Sequence, residues 1–484
     1  MNEKSALFPS HQQKGAVHGS WYSGEKPERI KEGSYPILFI HGINTTSETW
    51  SIDGNGIGEA ARSRGFETAF ITLSGTDDMW TNGLLLAGKL GEISGHFKKK
   101  VVIVAHSKGG IDAQTAIVYH GASRYVKRVI TLSTPHHGSE LADLAYSRWA
   151  DWLTETLGNR SDAVFSLQTG YMKAYRNRTD AAADRQATRF YTFGGTGWGS
   201  MGSELFWGGL YLSRFGASDG AVTVKSSRLP YGQEVMVDDW THKTIKQGEE
   251  IFPYVEKLVM EEVDEIPVSA LQVSDEEEVQ TSVLHKGGRY TGVLRERFLV
   301  EDGVDKITVD WVSSFREASL LLKGPGGRTY TSFVTTGDET GFFPNAFHHS
   351  LMVDKPSYGK WVLESRNDQP DTYLLNVMFS NGVNPQVDDI FSGSEIDVEN
   401  EGMNMASTPN LIHHTHLTHF PVTKQDSEKS IEDLASLSPD YLAQYGEGLH
   451  NITIDIKGTT QRGNEYERTI VKTIFVDKDG NIHE

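Results

Sequence analysis

The stretch VVIVAHSKGG (101–110) runs from an apolar segment straight into a serine flanked by small residues. Val101–Ala105 is rich in β-branched side chains and has no polar interruption, the pattern of a strand buried on both faces. The residues after it, Ile111 to Tyr119, are compatible with a helix. A strand that turns directly into a helix around Ala105-His106-Ser107-Lys108-Gly109 has the form of a nucleophile elbow, whose sharp turn lifts the serine hydroxyl off the sheet. The positions two before and two after the serine must be small, because the turn leaves little room for a Cβ. Gly109 meets that need fully and Ala105 nearly so, while Gly110 lets the helix pack close to the sheet. On this motif alone, a serine in an ordinary tight turn is the competing reading.

Working outward, residues 34–260 alternate between short β-rich runs and helix-length segments. The runs are Ile37–Ile40, Thr68–Thr72, Val101–Ala105, Val129–Ser133, Phe190–Phe193 and Glu234–Val237, and Glu249–Glu262 reads as a closing amphipathic helix. Apolar strands alternating with helices predict an α/β fold with a mostly parallel sheet covered on both faces. Two further segments stand at strand ends. YPILFIHGINTTSETW (35–50) ends its strand in His41-Gly42, and LSTPHHGSELADL (132–144) follows another. Each alone could be a plain β-to-α turn.

Together, strand-HG, AHSxGG and STPHxGS, in that order and at these spacings, resemble bacterial triacylglycerol lipases and carboxylesterases of the α/β-hydrolase family. The resemblance covers roughly residues 34–260. Ala105 in place of the usual first glycine is a departure also seen in some bacterial lipases. The resemblance implies a Ser-Asp-His order with Ser107 as nucleophile. The acid is implied at Asp219, in SDGAVTVKSS, and the base at His242, after the strand EVMVDDW. It implies an oxyanion hole made by the backbone N–H groups of Ile43 and Lys108. The expected function is therefore a serine carboxylic-ester hydrolase, a lipase or esterase working through an acyl-enzyme. A polyester depolymerase or acyltransferase on the same scaffold is the alternative. A non-catalytic binding protein is the alternative of another class. No cofactor is expected. No metal is expected either, since calcium-binding relatives carry an acid two residues beyond the histidine, where this chain has Thr244. The side chain of His106 is expected to point inward beside the oxyanion loop, and that of Lys108 to be solvated at the cleft rim. Aromatic-rich insertions carry Trp149, Trp152, Trp198, Phe206 and Trp207 as candidates for a lid or acyl groove. Packing as the core of a cap is an equal reading of those residues.

The remainder has another character. VDEIPVSALQVSDEEEVQ (263–280) reads as an acidic linker. It ends a catalytic unit placed at 1–262. From 283 to 382 strand follows strand, with GPGG and NDQP read as turns, which predicts an all-β, sandwich-like domain. Residues 383–484 read as a small β-rich module or the completion of that sandwich: a polar stretch, a helix over 431–445, and the strands HNITIDIKG and RTIVKTIFV around a QRGNE turn. The histidine-rich HHTHLTH (413–419) is expected to be solvated or to contact a subunit, with a metal site as the weaker reading.

Composition narrows the partners. The 484 residues carry a formal net charge of −19, which opposes nucleic acid. The same charge opposes docking on anionic lipid, so contact with lipid aggregates or a polymer is expected through apolar surface, and the substrate is expected to be an ester or lipid. Cysteine is absent, which excludes disulfides, thiol catalysis and thiolate metal sites. No run of 18 apolar residues occurs. The start MNEKSALFPSHQQKG lacks the apolar stretch of a signal peptide. The accessory β region nonetheless tilts the expectation toward an extracellular enzyme, with the cytoplasm as the alternative.

Overall fold

The structure is a computed structural model that describes residues 17–260, 281–386, 397–399, 412–422, 428–431 and 438–484, apart from 53, 159 and 183–187. The acidic linker 263–280 lies outside the described residues. A first sheet contains β1 (Trp21–Ser23), β2 (Ile37–Ile40), β3 (Thr68–Ile71), β4 (Val101–His106), β5 (Val126–Leu132), β6 (Arg189–Gly195) and β7 (Gln233–Asp238), in the spatial order β1-β3-β2-β4-β5-β6-β7. Strands β2 to β7 run parallel, and only the edge strand β1 is antiparallel. All six strands expected from the apolar runs are in this sheet; β1 is too short to announce itself.

The unbroken apolar run of β4 has a plain cause. Val101, Ile103 and Ala105 point to the face covered by helices Met79–Phe97 and Gly109–Tyr119. Val102 and Val104 point to the other face, under helices Ile57–Ser63 and Gly248–Leu258. With helices on both sides there is no face on which a polar residue could be solvated. This is the α/β-hydrolase arrangement, and it puts the C-terminal end of β4 at the centre of one edge of the sheet.

The C-terminal half is all antiparallel. Strands β8 (Thr281–Val300), β9 (Lys306–Ser313), β10 (Ser319–Lys323), β11 (Thr329–Tyr330), β12 (Val334–Gly337), β13 (Phe347–Asp354) and β14 (Gly359–Ser380) form one sheet. Strand β14 is its spine. It pairs with β8 along its whole length, with β10 through its first half and with β9 through its second. NDQP (367–370), read above as a turn between two strands, lies inside β14. There the register against β8 shifts, with Asn367 facing Gly292 and Asp371 facing Tyr290. The missing N–H of Pro370 is confined to this irregularity, so the ladder continues on either side. Phe298, Trp311, Trp361 and Tyr373 share one core, with Trp311 stacked on Tyr373 at 4.3 Å.

A third sheet joins Ile412–Pro421, Lys429–Ile431, Gly448–Thr459, Glu465–Val476 and Ile482–His483. The two last long strands pair across the QRGNE turn, from Gly448↔Val476 to Thr459↔Glu465, in a sheet separate from the second. The helix expected over 431–445 shrinks to Pro439–Ala443, because Ile431 ends a strand; 432–437 lie outside the described residues. The solvated role expected for the histidine-rich segment fails for half of it. His413 and His414 are exposed, but His416 and His419 are buried, and the His419 ring lies 4.6 Å from His450. Among the described residues, no three His, Asp or Glu side chains are arranged to hold a metal ion.

The units are packed together by specific contacts. Gly170 sits against the backbone of Thr473, where a Cβ would come within 2.8 Å of the carbonyl oxygen. The buried Asp143 carboxylate accepts from Thr473 Oγ1 at 2.9 Å, and Trp149 Nε1 donates to Asp455 at 2.9 Å. Arg468, on the third sheet, reaches into the second. Its Nε donates to Ser282 at 2.6 Å, its guanidinium pairs with the buried Glu301, and it lies 3.7 Å over the Phe379 ring. Removing one partner of a fully buried ion pair leaves the other charge uncompensated, at a cost of about 3–5 kcal/mol. Arg468→Ala should therefore lower the melting temperature of the β half by several degrees or more, read by calorimetry. An unchanged transition would show that Glu301 finds water or another partner.

Candidate active site

Strand β4 ends at His106, the following helix begins at Gly109, and Ser107 stands between them with φ 53°. A non-glycine residue in the left-handed region is strained by about 1–3 kcal/mol and persists only where its surroundings hold it. Here they do. Ser107 N–H donates to the Leu132 carbonyl at 2.9 Å, and Thr134 Oγ1 donates to the Ser107 carbonyl at 2.8 Å. The two glycines after the serine are required by close approach. A Cβ on Gly109 would lie 2.4 Å from the His41 carbonyl oxygen, and one on Gly110 would lie 2.2 Å from Thr134 Oγ1.

The structure brings Asp219 and His242 together. Asp219 is fully buried, and its Oδ2 accepts from His242 Nδ1 at 2.6 Å. Its Oδ1 accepts the N–H groups of Ala221 at 3.0 Å and Val222 at 2.8 Å, and its carbonyl accepts the His242 N–H at 2.9 Å. A carboxylate can only accept, so Nδ1 carries a proton, and in the neutral imidazole Nε2 then keeps its lone pair. His106 then ties this pair to the elbow. Its Nε2 donates to the His242 carbonyl at 2.9 Å, and the two rings lie 4.6 Å apart. Burial holds the His106 pKa well below the ordinary imidazole value, so it is a neutral brace. Its Nδ1 also lies where a Cβ on Gly42 would approach to 3.4 Å, so the ring is beside the oxyanion loop as expected.

That loop is pressed against Ser107. A Cβ on Gly42 would stand 2.8 Å from Ser107 Cβ. His41 shapes the loop: its Nε2 accepts the Leu73 N–H at 3.0 Å and its Nδ1 donates to the Gly42 carbonyl at 2.8 Å. Burial lowers the His41 pKa to about 4, which keeps it neutral. Among the described residues, neither the Ile43 N–H nor the Lys108 N–H has a hydrogen-bond acceptor. Two free backbone donors thus flank Ser107, an arrangement that can stabilise a developing oxyanion. The Lys108 side chain departs from expectation. Instead of lying at a solvated rim it is buried, with Nζ 2.7 Å from Asp112 Oδ1. The cause is the helix that starts at Gly109: a residue four places on lies on the same face, so Asp112 comes under the ammonium.

LSTPHHGS acts as a strut between the elbow and the loop that carries Asp219. Besides Thr134, which holds the elbow, Ser139 Oγ donates to the Ala221 carbonyl at 2.9 Å, and Ser226 Oγ donates to the Gly138 carbonyl at 2.5 Å. Sequence reasoning attached no role to Thr134, Ser139 or Ser226. Hydroxyls at small-residue turns were the only signal.

The aromatic insertions meet the β half. Trp198 packs on Phe206 at 5.7 Å, and Trp152 is half exposed under Arg289 at 4.6 Å. Trp207 stacks on His348 at 5.0 Å and meets Phe343 edge-on at 5.9 Å. Phe343 belongs to the connection 338–346 between β12 and β13, which roofs the site. Gly341 lies on the Ile43 side chain, its carbonyl accepts from Asn44 Nδ2 at 2.9 Å, and Thr340 lies on Gly208. Phe342 and Phe343 are buried in one cluster with Ile43, Ile111, Leu141, Trp207 and Val222. Beneath this cover Ser107 is 5% and His242 7% exposed. The sequence offered no sign that residues so far along the chain return to the site.

Comparison with known proteins agrees with this geometry. Residues 89–160, which contain the elbow, match the PGAP1-like alpha/beta domain family. The chain is similar to Bacillus licheniformis lipase BlEst2 in its propeptide form, with 36% identity, 97% of this chain and 100% of that chain covered, and a TM-score of 0.85. The same lipase in its mature form matches with 47% identity over 51% of this chain and 100% of its own, at a TM-score of 0.49. A metagenomic carboxyl esterase, MGS0156, matches with 18% identity over 48% of this chain and 78% of its own, at a TM-score of 0.39.

The packing of Gly42 on Ser107 makes a sharp expectation. Gly42→Ala must push the oxyanion loop away from the serine, and turnover should fall by about 10²-fold or more, the scale of one lost oxyanion donor. Steady-state turnover of a short ester checks this, with circular dichroism confirming the fold.

Proposed function

Because the chain belongs to the bacterial lipase and esterase family of α/β-hydrolases, we propose that it hydrolyses carboxylic esters through Ser107, His242 and Asp219 by way of an acyl-enzyme. The observation that carries this reading is the buried Asp219–His242 pair, 2.6 Å long, tied through His106 to a strained serine with two free N–H groups beside it. His242 Nε2 takes the Ser107 proton as the hydroxyl attacks the ester carbonyl. Asp219 keeps the imidazole in the tautomer that can do so and stabilises the imidazolium. The Ile43 and Lys108 N–H groups receive the oxyanion, each worth roughly 3 kcal/mol in sites of this kind. The imidazolium then protonates the leaving alcohol, and water activated by the same histidine releases the acid. Lipid or other apolar esters fit the apolar residues around Ile43, Leu141 and Trp207.

The chain is also held closed in this reading. The connection 338–346 occupies the apolar mouth of the site, and the similar lipase was solved in a form called its propeptide form. We take the β half to be a cover that must move or be removed before a bulky ester enters. An extracellular setting, where such removal is common, suits this reading.

Two outcomes follow. Ser107→Ala should lose at least about 10³-fold in kcat with the fold intact, and a fluorophosphonate should label Ser107 alone in the parent chain. Labelling of another serine, or full activity of the variant, would sink the assignment. Truncating a buried phenylalanine costs about 3–5 kcal/mol, so Phe342→Ala with Phe343→Ala should loosen the cover. Turnover of a medium-chain ester by the full-length chain should then rise by about tenfold or more. A folded variant with unchanged turnover would mean that the connection does not limit access.

A further inference from the structure

Lys108 carries an anomaly that ester hydrolysis does not use. Its backbone N–H directly follows Ser107 and has no acceptor among the described residues, yet the residue is 1% exposed, deep in the protein. A charge this far from water must be matched by a specific partner. The partner is Asp112, 2.7 Å away and 2% exposed. Burial raises the Asp112 pKa to about 6, with Lys108 acting against the rise.

The chain of contacts does not stop there. Asp112 Oδ2 accepts from Asn82 Nδ2 at 3.1 Å. Asn82 is 1% exposed and holds both backbone polar groups of Ser74: its Nδ2 donates to the Ser74 carbonyl at 2.8 Å, and its Oδ1 accepts the Ser74 N–H at 3.2 Å. The next residue, Gly75, accepts the Asn44 N–H on its carbonyl at 3.0 Å. Gly75 also lies so close that a Cβ there would reach 2.8 Å from the Asn44 nitrogen. Asn44 has φ 52° and directly follows Ile43. The polar chain thus begins on the residue that bears one proposed oxyanion donor and ends on the neighbour of the other.

Two donors on separate loops can serve one oxygen only if their spacing is held within a fraction of an ångström. The glycine contacts push the loops together. The polar chain is what ties each loop to the other through a common, dry support. We infer that Asp112 and Asn82 are positioning residues that set the spacing of the Ile43 and Lys108 N–H groups, through the buried link Lys108–Asp112–Asn82–Ser74–Gly75–Asn44. The role rests on the ester-hydrolase reading above. Neither residue touches substrate; both act through the backbone they hold.

The test uses the full-length chain with a short soluble ester and a small alkylboronic acid, which forms a tetrahedral adduct on an active serine. Asn82→Ala should lower kcat by about 10- to 100-fold, a part of the 10²–10³-fold effect of losing a donor outright. KM should move less than about threefold, and the inhibition constant of the boronic acid should rise in step with the loss of kcat/KM. A double variant, Lys108→Met with Asp112→Leu, guards against loss of fold, since well-packed apolar replacement of a buried ion pair is often tolerated. It should stay folded and show the same kcat loss and weaker boronate binding. Folded variants with a lowered melting temperature but unchanged kcat and boronate affinity would show that the link is structural only, and the inference would fall. A parent chain with no turnover that depends on Ser107 would overturn the hydrolase reading, and this role with it.

Discussion

Strain at a single residue organises the first half of this protein. Ser107 holds a left-handed backbone at the end of a central strand, a conformation that a serine leaves unless it is held. The restraint comes from three directions. Leu132 and Thr134, on the next strand and its exit, bond the serine backbone. Gly109 and Gly110 allow the oxyanion loop and the following turn to come closer than any side chain would permit. His106 couples the turn to the carbonyl of His242. The glycine contacts also bring the His41-Gly42 loop beside the serine, and the His106 contact reaches His242, so restraints that keep the elbow strained also help to assemble the site.

Burial without water is the second theme. The site and its supports are largely buried, and the imidazoles and carboxylate nearest Ser107 are matched by geometry. His41 and His106 are kept neutral by burial and spend both ring nitrogens, or one, on backbone groups. Asp219 is saturated by two backbone N–H groups as well as by His242. In so low a dielectric an unmatched group would cost several kcal/mol, and the matched groups lose almost no freedom when charge develops during a reaction. The roof supplied by Gly341, Phe342 and Phe343 belongs to the same economy. Its own root is Asp338, which accepts from Thr340 Oγ1 at 2.7 Å and faces His348. Burial alone would lower the His348 pKa, but Asp310 and Asp338 outweigh it and raise the value to about 10. The cover thus meets, 3.5 Å from Asp338, an imidazole that is stacked on Trp207.

The hydrolase and β halves are not beads on a string. One apolar cluster holds Ile111 and Leu141 from the first half with Phe343, Leu374 and Phe475 from the second. Of the five aromatic candidates for a lid or a packed cap, Phe206 and Trp207 are buried, Trp149 and Trp198 are partly buried and Trp152 is exposed.

Much of the first half was legible from local pattern, since a strand buried on both faces can only be apolar and a strained elbow can only be flanked by small residues. The six parallel strands, the elbow at Ser107 and the turn at His41-Gly42 follow from such local demands. Asp219 and His242 came from a resemblance of motifs, and the structure places them 2.6 Å apart. Long-range geometry was not legible. The burial of Lys108 depends on Asp112, which Asn82 holds in turn from a second helix. The continuity of β14 through Pro370 depends on β8 lying alongside to absorb the register shift. The roof over Ser107 depends on a connection more than 200 residues further along the chain. By itself the sequence determined the six parallel strands of the first half and where the backbone must turn sharply, because those are short-range steric constraints. Only the tertiary structure decided which buried charges pair, which hydroxyls brace the elbow and what covers the site, because burial and contact belong to residues far apart in the chain that the folded core alone brings together.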